Sequence, residues 1–117
     1  MADEIITDTV RSTTSGIANR SLNQARSNHL VIDSSSGTPE AITSIEAFLA
    51  GVSSCAVNIV DREARAQGLP LSRAQVDIES HRAKADTTVI ASVEMRFELT
   101  GVTQAQAEEL AGVYTRR

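Results

Sequence analysis

The feature that most constrains this chain is an apolar stripe running through residues 43–67. Its apolar residues recur every three or four positions, which is the spacing of one face of an α-helix. Thr43 and Glu46 stand in capping-box relation at one end, while Gly68 followed by Pro70 stops the helix at the other. The stripe consists of Ile45, Phe48, Leu49, Val52, Cys55, Ala56, Ile59 and Val60. The sequence therefore predicts one long central helix with an apolar face.

The opposite side of this helix carries small residues instead of the long charged side chains of a solvent-facing surface. They are Ala47, Ala50, Gly51, Ser53 and Ser54. We therefore expect both sides of the helix to be packed. The 117 residues are 41% hydrophobic but only 3% aromatic, which is lean for a domain that must bury its core alone. Both features favour a homo-oligomer.

Before and after this helix in the sequence, apolar and polar residues alternate, and this alternation predicts strands. Short runs at residues 4–10 and 29–33 predict two or three strands before the helix. After it, residues 74–78 and 89–99 alternate with a period of two and predict an antiparallel hairpin that turns near residues 84–87.

A second capping box, formed by Thr103 and Gln106, predicts a helix near the end of the chain. Its inner side carries Ala107, Leu110, Ala111 and Tyr114. Because the predicted strands are grouped apart from the helices, the order of elements along the chain predicts an α+β fold in which antiparallel strands pack around the central helix. We expect residues 1–117 to form a single domain, since a second core would not fit.

Charge and hydropathy exclude several classes of protein. The 11 Lys and Arg residues against 15 Asp and Glu residues give a net charge of -4, the wrong sign for binding nucleic acid. No stretch is expected to reach the apolar length of a membrane span, so no membrane partner is predicted. The start, Met1-Ala2-Asp3-Glu4, lacks the layout of a signal peptide, and we expect a cytoplasmic protein.

The only cysteine of the sequence, Cys55, lies in the middle of the predicted helix. No cysteine metal cluster can form, a structural zinc site is not expected, and neither His29 nor His81 shows the spacing of a zinc-protease or thiol-protease motif. Most free cysteines are small buried hydrophobes. A reactive thiol must instead ionise, and lowering its pKa from about 8.5 to about 6 takes roughly 3.4 kcal/mol. The helix dipole fades within the first turn, so an arginine from another element would have to stabilise the thiolate.

Glu46 has two possible roles. Its position near the helix start suits capping, and an inward carboxylate could also orient an arginine that holds a thiolate. Nine residues separate Glu46 from Cys55, which places them about 180° apart on a straight helix. They would therefore meet at one site only through a helix bend or a bridging partner.

The run Thr43-Ser44-Ile45-Glu46-Ala47-Phe48-Leu49-Ala50-Gly51-Val52-Ser53-Ser54-Cys55 resembles the central helix of the OsmC/Ohr family (osmotically induced protein C and organic hydroperoxide resistance protein). In that helix, a Glu precedes a reactive Cys by about two and a half turns. Residues 28–33 resemble the family's strand before the helix, and residues 66–71 resemble its exit. The hairpin and the last helix follow in the same order, so the resemblance covers residues 28–117.

The resemblance implies a cysteine-based peroxidase, with peroxiredoxin-like activity on organic hydroperoxides or hydrogen peroxide, in defence against oxidative stress. Cys55 would be the peroxidatic thiolate, and Glu46 would position an arginine that stabilises it. Arg20 is our candidate for that arginine, with Arg11 and Arg26 left open. The family also implies an intertwined homodimer with sites at its interface. Neither metal nor other cofactor is expected, only an external thiol or dithiol reductant.

The chain departs from the family pattern at its end. Family members usually carry a second, resolving cysteine on the last long helix, whereas this sequence stops at Arg116-Arg117. Either the chain is a fragment truncated at its C-terminal end, or it is a one-cysteine member. The alternative function is a non-catalytic OsmC-like binding or structural protein that lacks the resolving cysteine.

Overall fold

The computed structural model describes residues 4–116, which form two antiparallel sheets and two helices. The elements are β1 (Arg11–Thr14), β2 (Arg20–Ala25), β3 (Asn28–Asp33), α1 (Ser44–Ala66), β4 (Arg73–His81), β5 (Ser92–Thr100) and α2 (Gln104–Thr115). The predicted α+β class is confirmed. The outermost ends of the predicted domain, residues 1–3 and Arg117, lie outside the described residues. The chain divides into two compact units, one up to Ala47 and the other from Phe48 onward.

The first unit contains a three-stranded antiparallel sheet in the order β1-β2-β3. A short turn joins β2 to β3, with Arg26 in the left-handed region at φ 58°. The prediction of a strand at residues 4–10 was wrong, since the first strand begins at Arg11. Ile5 and Ile6 are 86% and 89% exposed, so alternation alone did not create a strand where no face is buried.

Helix α1 begins and ends within one residue of the predicted bounds. The capping box is present: the backbone N–H of Thr43 donates to Glu46 Oε1 at 2.9 Å, and the N–H of Glu46 donates to Thr43 Oγ1 at 3.3 Å. At the other end, Gly68 has a φ of 67° and the N–H of Leu69 donates to the carbonyl oxygen of Ala64 at 2.9 Å. This left-handed stop terminates the helix as its sequence predicted.

The apolar face of α1 is buried only towards its C-terminal end. Ala56, Val60 and Ala64 are buried, whereas Phe48 is 56% exposed and Cys55 is exposed. The expectation that no stretch reaches the apolar length of a membrane span was wrong, because α1 is long and apolar enough by length and composition. Core helices of soluble proteins meet the same criterion.

The second unit packs the β4-β5 hairpin and α2 against the C-terminal half of α1. Val60, Ala64 and Leu110 form its buried core. Partly buried side chains surround them: Leu69, Leu71, Ala74, Phe97 and Leu99. The aromatic rings of Phe97 and Tyr114 lie 6.1 Å apart and tilted by 53°. One face of the hairpin and the inner side of α2 therefore share a single small core.

The hairpin and α2 follow the predicted pattern with one shift. β4 and β5 pair antiparallel, and Val76 lies opposite Phe97. The bridge between Ala83 and Asp86 overlaps the predicted turn at residues 84–87, but β5 begins at Ser92, three residues after the predicted start. The α2 capping box of Thr103 and Gln106 is present.

A glycine is required where β5 turns into α2. Gly101 has a φ of 97°, a conformation that side-chain-bearing residues rarely adopt. A Cβ there would also collide with the backbone carbonyl oxygen of Pro70 and approach the backbone nitrogen of Ser72 to 3.0 Å. The turn therefore depends on the absence of a side chain for two separate reasons.

Gly101→Ala is expected to lower the free energy of unfolding by more than its matched control, Gly68→Ala. Gly68 has a similar positive φ but nothing within 4 Å of its missing Cβ, so its substitution adds only backbone strain of about 1 kcal/mol. The collision with Pro70 adds to that strain, and we expect a loss of about 2 to 4 kcal/mol. Urea denaturation of both variants measures the difference. Equal losses would show that the contact with Pro70 is unimportant.

Candidate functional site

Cys55 presents its thiol on the surface of α1. The hydroxyls of Ser53 and Ser54 donate to the carbonyl oxygens of Ala50 and Gly51, each at 3.3 Å, so both hydroxyls are engaged by the helix backbone. Cys55 lies eleven residues after the first residue of α1, about 16 Å along the axis. The dipole at the helix start is negligible at that distance, so a thiolate there needs a cationic side chain.

Glu46 serves as the carboxylate of the α1 capping box. Its Oε1 accepts the backbone N–H of Thr43, and the residue itself is exposed. The structure does not pair Glu46 with Arg20, whose salt bridges are made with Asp33 and Glu40. The capping role that the sequence indicated is therefore the one that the geometry shows.

Arg20, at the start of β2, is held by a fork-shaped contact. Its Nε donates to Asp33 Oδ1 at 2.7 Å, and its Nη2 donates to Asp33 Oδ2 at 3.1 Å and to Glu40 Oε1 at 3.1 Å. The Asp33 side chain is 5% exposed, that of Arg20 is 23% exposed and that of Glu40 is 82% exposed. Such paired contacts fix the plane of a guanidinium as well as its position.

Asp33 also anchors the segment that leads into α1. Its Oδ2 accepts the backbone N–H groups of Glu40 and Ala41 at 2.8 and 2.7 Å, and its own N–H donates to the carbonyl oxygen of Ile42 at 2.9 Å. The side-chain hydrogen bond from Arg20, followed by the backbone hydrogen bond from Ala41, holds the pKa of Asp33 well below its usual value. The same pair raises the pKa of Arg20. Asp33 is thus an ionised carboxylate at neutral pH.

The three candidate arginines differ in how the structure holds them. Arg11 and Arg26 are exposed, and neither makes a salt bridge within residues 4–116. Arg20 is half-buried and anchored. A small cavity of about 160 Å³ is lined by Arg20 together with Asn19, Ser34 and Gly37. Of the three, Arg20 is the best prepared to present a fixed positive charge.

Sequence analysis did not identify Asp33 as a site residue. Its one sequence signal is a carboxylate at the end of an apolar strand, directly before the serine-rich loop. Its partner Arg20 lies thirteen residues earlier and is placed opposite it only by the register of β2 and β3. That pairing cannot be derived without knowing which residues face each other across the sheet.

One cluster among residues 4–116 has the donor set of a metal site. Glu79, His81 and Glu94 lie on the outer side of the hairpin, with one ligand atom of each within 4.8 Å of the others. His81 Nε2 is 3.5 Å from Glu79 Oε2 and 3.8 Å from Glu94 Oε2. All three side chains are exposed, as in ordinary surface ion pairs. His29 lies exposed in β3.

The lowered pKa of Asp33 predicts acid sensitivity of the fold. A carboxylate with a depressed folded-state pKa stabilises the protein above its unfolded-state pKa of about 3.9, and that contribution is lost as the pH falls below it. We expect the melting temperature to fall below about pH 4. Asp33→Asn should melt lower than the parent at pH 7 and show a shallower decline in acid. Parallel melting curves between the two would contradict this role.

Comparison with known proteins supports the fold described above. The family model described as OsmC-like protein matches residues 37–115. An OsmC-like protein from Mycoplasma pneumoniae shares 12% sequence identity, with a TM-score of 0.78 over 99% of this chain and 84% of that one. No curated protein matches the chain significantly by sequence.

Two solved structures named for hydroperoxide resistance share this fold. The organic hydroperoxide resistance protein OsmC of Legionella pneumophila is 17% identical, with a TM-score of 0.74, covering 97% of this chain and 85% of that one. OhrB of Bacillus subtilis is 12% identical, with a TM-score of 0.67, covering 95% of this chain and 84% of that one. Because the family model also spans more than half of the 117 residues, the chain belongs to the OsmC family.

Proposed function

We propose that this protein is a thiol-dependent peroxidase that reduces organic hydroperoxides or hydrogen peroxide, with Cys55 as its nucleophile. The observation that carries the proposal is the exposed thiol of Cys55 on the long helix of an OsmC-family fold. Two solved proteins with this fold are named for resistance to organic hydroperoxides, which supports the same class of substrate.

The proposed chemistry begins with oxidation of Cys55. Its thiolate attacks one oxygen of the peroxide bond, that bond breaks, and the departing alkoxide, or hydroxide in the case of hydrogen peroxide, takes up a proton and leaves as an alcohol or as water. Cys55 then carries a sulfenic acid. One external thiol attacks its sulfur and releases water, and a second thiol breaks the mixed disulfide, which restores the Cys55 thiol and leaves the oxidised disulfide.

The thiolate requires a nearby positive charge, for which we propose Arg20. Its fixed guanidinium and the exposure of Arg11 and Arg26 favour this choice. An arginine remains charged at every working pH, so it can stabilise the thiolate without being titrated itself. We propose that Glu46 contributes through the start of α1, which its carboxylate caps.

We further propose that the active form is a cytoplasmic homodimer. Phe48 and Val93 are 56% and 44% exposed, and the small residues on the other side of α1 are exposed or half-buried. Leaving this surface in water is unfavourable, and a second copy of the chain is the simplest cover for it. The exposed apolar side chains equally favour a second candidate function, the non-catalytic binding of an apolar molecule.

Replacing Cys55 by Ser is expected to abolish peroxide turnover. We expect the consumption of cumene hydroperoxide with a dithiol to fall on the order of a hundredfold or more, because a hydroxyl is a far weaker nucleophile than a thiolate. Mass spectrometry after peroxide and dimedone treatment should show the sulfenic acid adduct at Cys55 only in the parent protein.

The neighbouring variant Ser54→Ala is the matched control and should retain turnover, since its hydroxyl donates to the carbonyl oxygen of Gly51 in its own helix. Unchanged consumption in Cys55→Ser would exclude Cys55 as the nucleophile. A parent protein that is inactive, yet melts higher with an apolar ligand, would favour the binding function instead.

Two substitutions at Glu46 separate its capping contact from its charge. Glu46→Ala removes the capping contact and should lower the free energy of unfolding by about 1 kcal/mol. Glu46→Gln keeps an acceptor for the Thr43 N–H, so we expect near-parental stability and turnover within about twofold of the parent. A tenfold loss of turnover in a stable Glu46→Gln would instead assign Glu46 the arginine-orienting role implied by the family resemblance.

A further inference from the structure

The exposed face of the β4-β5 hairpin carries two contrasting cross-strand pairs. Asp77 lies opposite Arg96, and Arg96 Nη2 is 3.5 Å from Asp77 Oδ2. In the next pair on the same face, Glu79 lies directly opposite Glu94. Like charges that face each other across antiparallel strands are destabilising. The second pair therefore breaks a rule of strand pairing that the first pair obeys, and such exceptions are expected at functional sites.

His81 places its imidazole beside this pair of glutamates. It lies two residues after Glu79 in β4, so both side chains are on the same face of the sheet. One ligand atom of each of the three residues lies within 4.8 Å of the other two. Glu94 joins the other two only through the register of the hairpin, so their spacing in the sequence shows no metal motif.

The spacing of these atoms suits a shared metal ion better than direct hydrogen bonds. His81 Nε2 is 3.5 Å from Glu79 Oε2 and 3.8 Å from Glu94 Oε2. An ordinary N–H···O hydrogen bond is shorter, at about 2.7 to 3.2 Å. Two ligands of a tetrahedral zinc ion, with bonds of about 2.0 to 2.2 Å, lie about 3.3 to 3.6 Å apart. All three side chains are exposed, so small rotations can bring their ligand atoms to coordination distance.

We propose that Glu79, His81 and Glu94 form a binding site for a divalent transition-metal cation, with Zn²⁺ as the probe. Carboxylates alone would suit Mg²⁺ or Ca²⁺, whereas the imidazole nitrogen favours Zn²⁺ and similar ions. The cation offsets the repulsion between the two carboxylates and links β4 to β5. The inference goes beyond the proposed function, because the ion takes no part in the peroxide chemistry.

An ordinary surface ion pair is the alternative explanation of the same three residues. In that case a protonated His81 neutralises the carboxylates without any metal. A metal ligand must instead be a neutral imidazole, whose free nitrogen binds the cation. The two explanations therefore differ in whether zinc binds and in what zinc does to stability.

The first measurement is a zinc titration at pH 7.5, in competition with a chromophoric chelator, after bound metal has been removed from the protein. The thiol of Cys55 is itself a zinc ligand, so the titration is made with the parent and with Cys55→Ser. We expect Cys55→Ser to retain one saturable zinc site. Ca²⁺ or Mg²⁺ at the same concentration should not displace the zinc, since both prefer sites made of oxygen ligands alone.

His81→Ala and Glu94→Gln, each made in the Cys55→Ser background, should weaken zinc binding at least tenfold. Each removes a ligand, and even the loss of a group that only orients a ligand costs roughly 10- to 100-fold in affinity. His29→Ala and Glu98→Gln are the matched controls, because both residues are exposed on strands and lie outside the cluster. They should stay within about twofold of the background protein. Circular dichroism shows whether each variant is folded.

The melting temperature separates the metal site from the ion pair. Zinc should raise it in Cys55→Ser, and His81→Ala and Glu94→Gln should lose that increase. Without metal, Glu94→Gln should melt no lower than the background protein, because the substitution removes a like-charge pair. A lower melting temperature of Glu94→Gln without metal, together with no effect of zinc, would identify an ion pair and overturn the inference.

Three further results would also overturn it. They are the absence of a saturable zinc site in Cys55→Ser, zinc binding that His81→Ala leaves unchanged, and displacement of zinc by Ca²⁺ or Mg²⁺ at equal concentration. The first would assign any zinc bound by the parent to the thiol, and the other two would indicate an unspecific acidic surface. None of these results bears on cumene hydroperoxide turnover, so the inference and the proposed function can fail separately.

Discussion

The ion pair between Arg20 and Asp33 is the interaction on which the first half of the structure depends. It joins the ends of two neighbouring strands and, through the backbone N–H groups of Glu40 and Ala41, fixes the loop before the long helix. A carboxylate with a 5% exposed side chain is tolerated only when its lone pairs are satisfied, and here four donors satisfy them. The same interaction therefore determines where the loop runs and how the arginine is held.

The long helix combines strong local signals with an incompletely buried surface. Its start is fixed by Thr43 and Glu46 and its end by Gly68, so its length does not depend on distant contacts. The burial of the helix does depend on distant contacts, because within residues 4–116 only its C-terminal half packs into a core. The helix is long and apolar enough for a membrane span by length and composition and is exposed around Phe48, which is the surface that the proposed homodimer would cover.

Most of the fold could be predicted because its signals are local. Capping boxes, the glycine stop and the period-two hairpin involve residues close in sequence. Each of these features lies within a few residues of its predicted position. Two of the failures share one cause. Residues 4–10 alternate like a strand but have no face to bury, and Asp33 acquires its role only when strand register places it opposite Arg20. The roles of Cys55 and Arg20 remain predictions from the family resemblance, whereas the contact of Asp33 with Arg20 was visible only in the structure.

The exposure of Cys55 fits the chemistry that one cysteine permits. In the proposed mechanism an external thiol reduces the sulfenic acid of Cys55, so a fully buried sulfur would be oxidised once and not renewed. The proposed nucleophile must also be a thiolate, and a fixed positive charge is what would stabilise that anion. The two requirements oppose each other, since solvent access weakens the electrostatic stabilisation that reactivity needs. In the proposed function that charge is assigned to Arg20, whose guanidinium the Asp33 carboxylate holds in a fixed orientation.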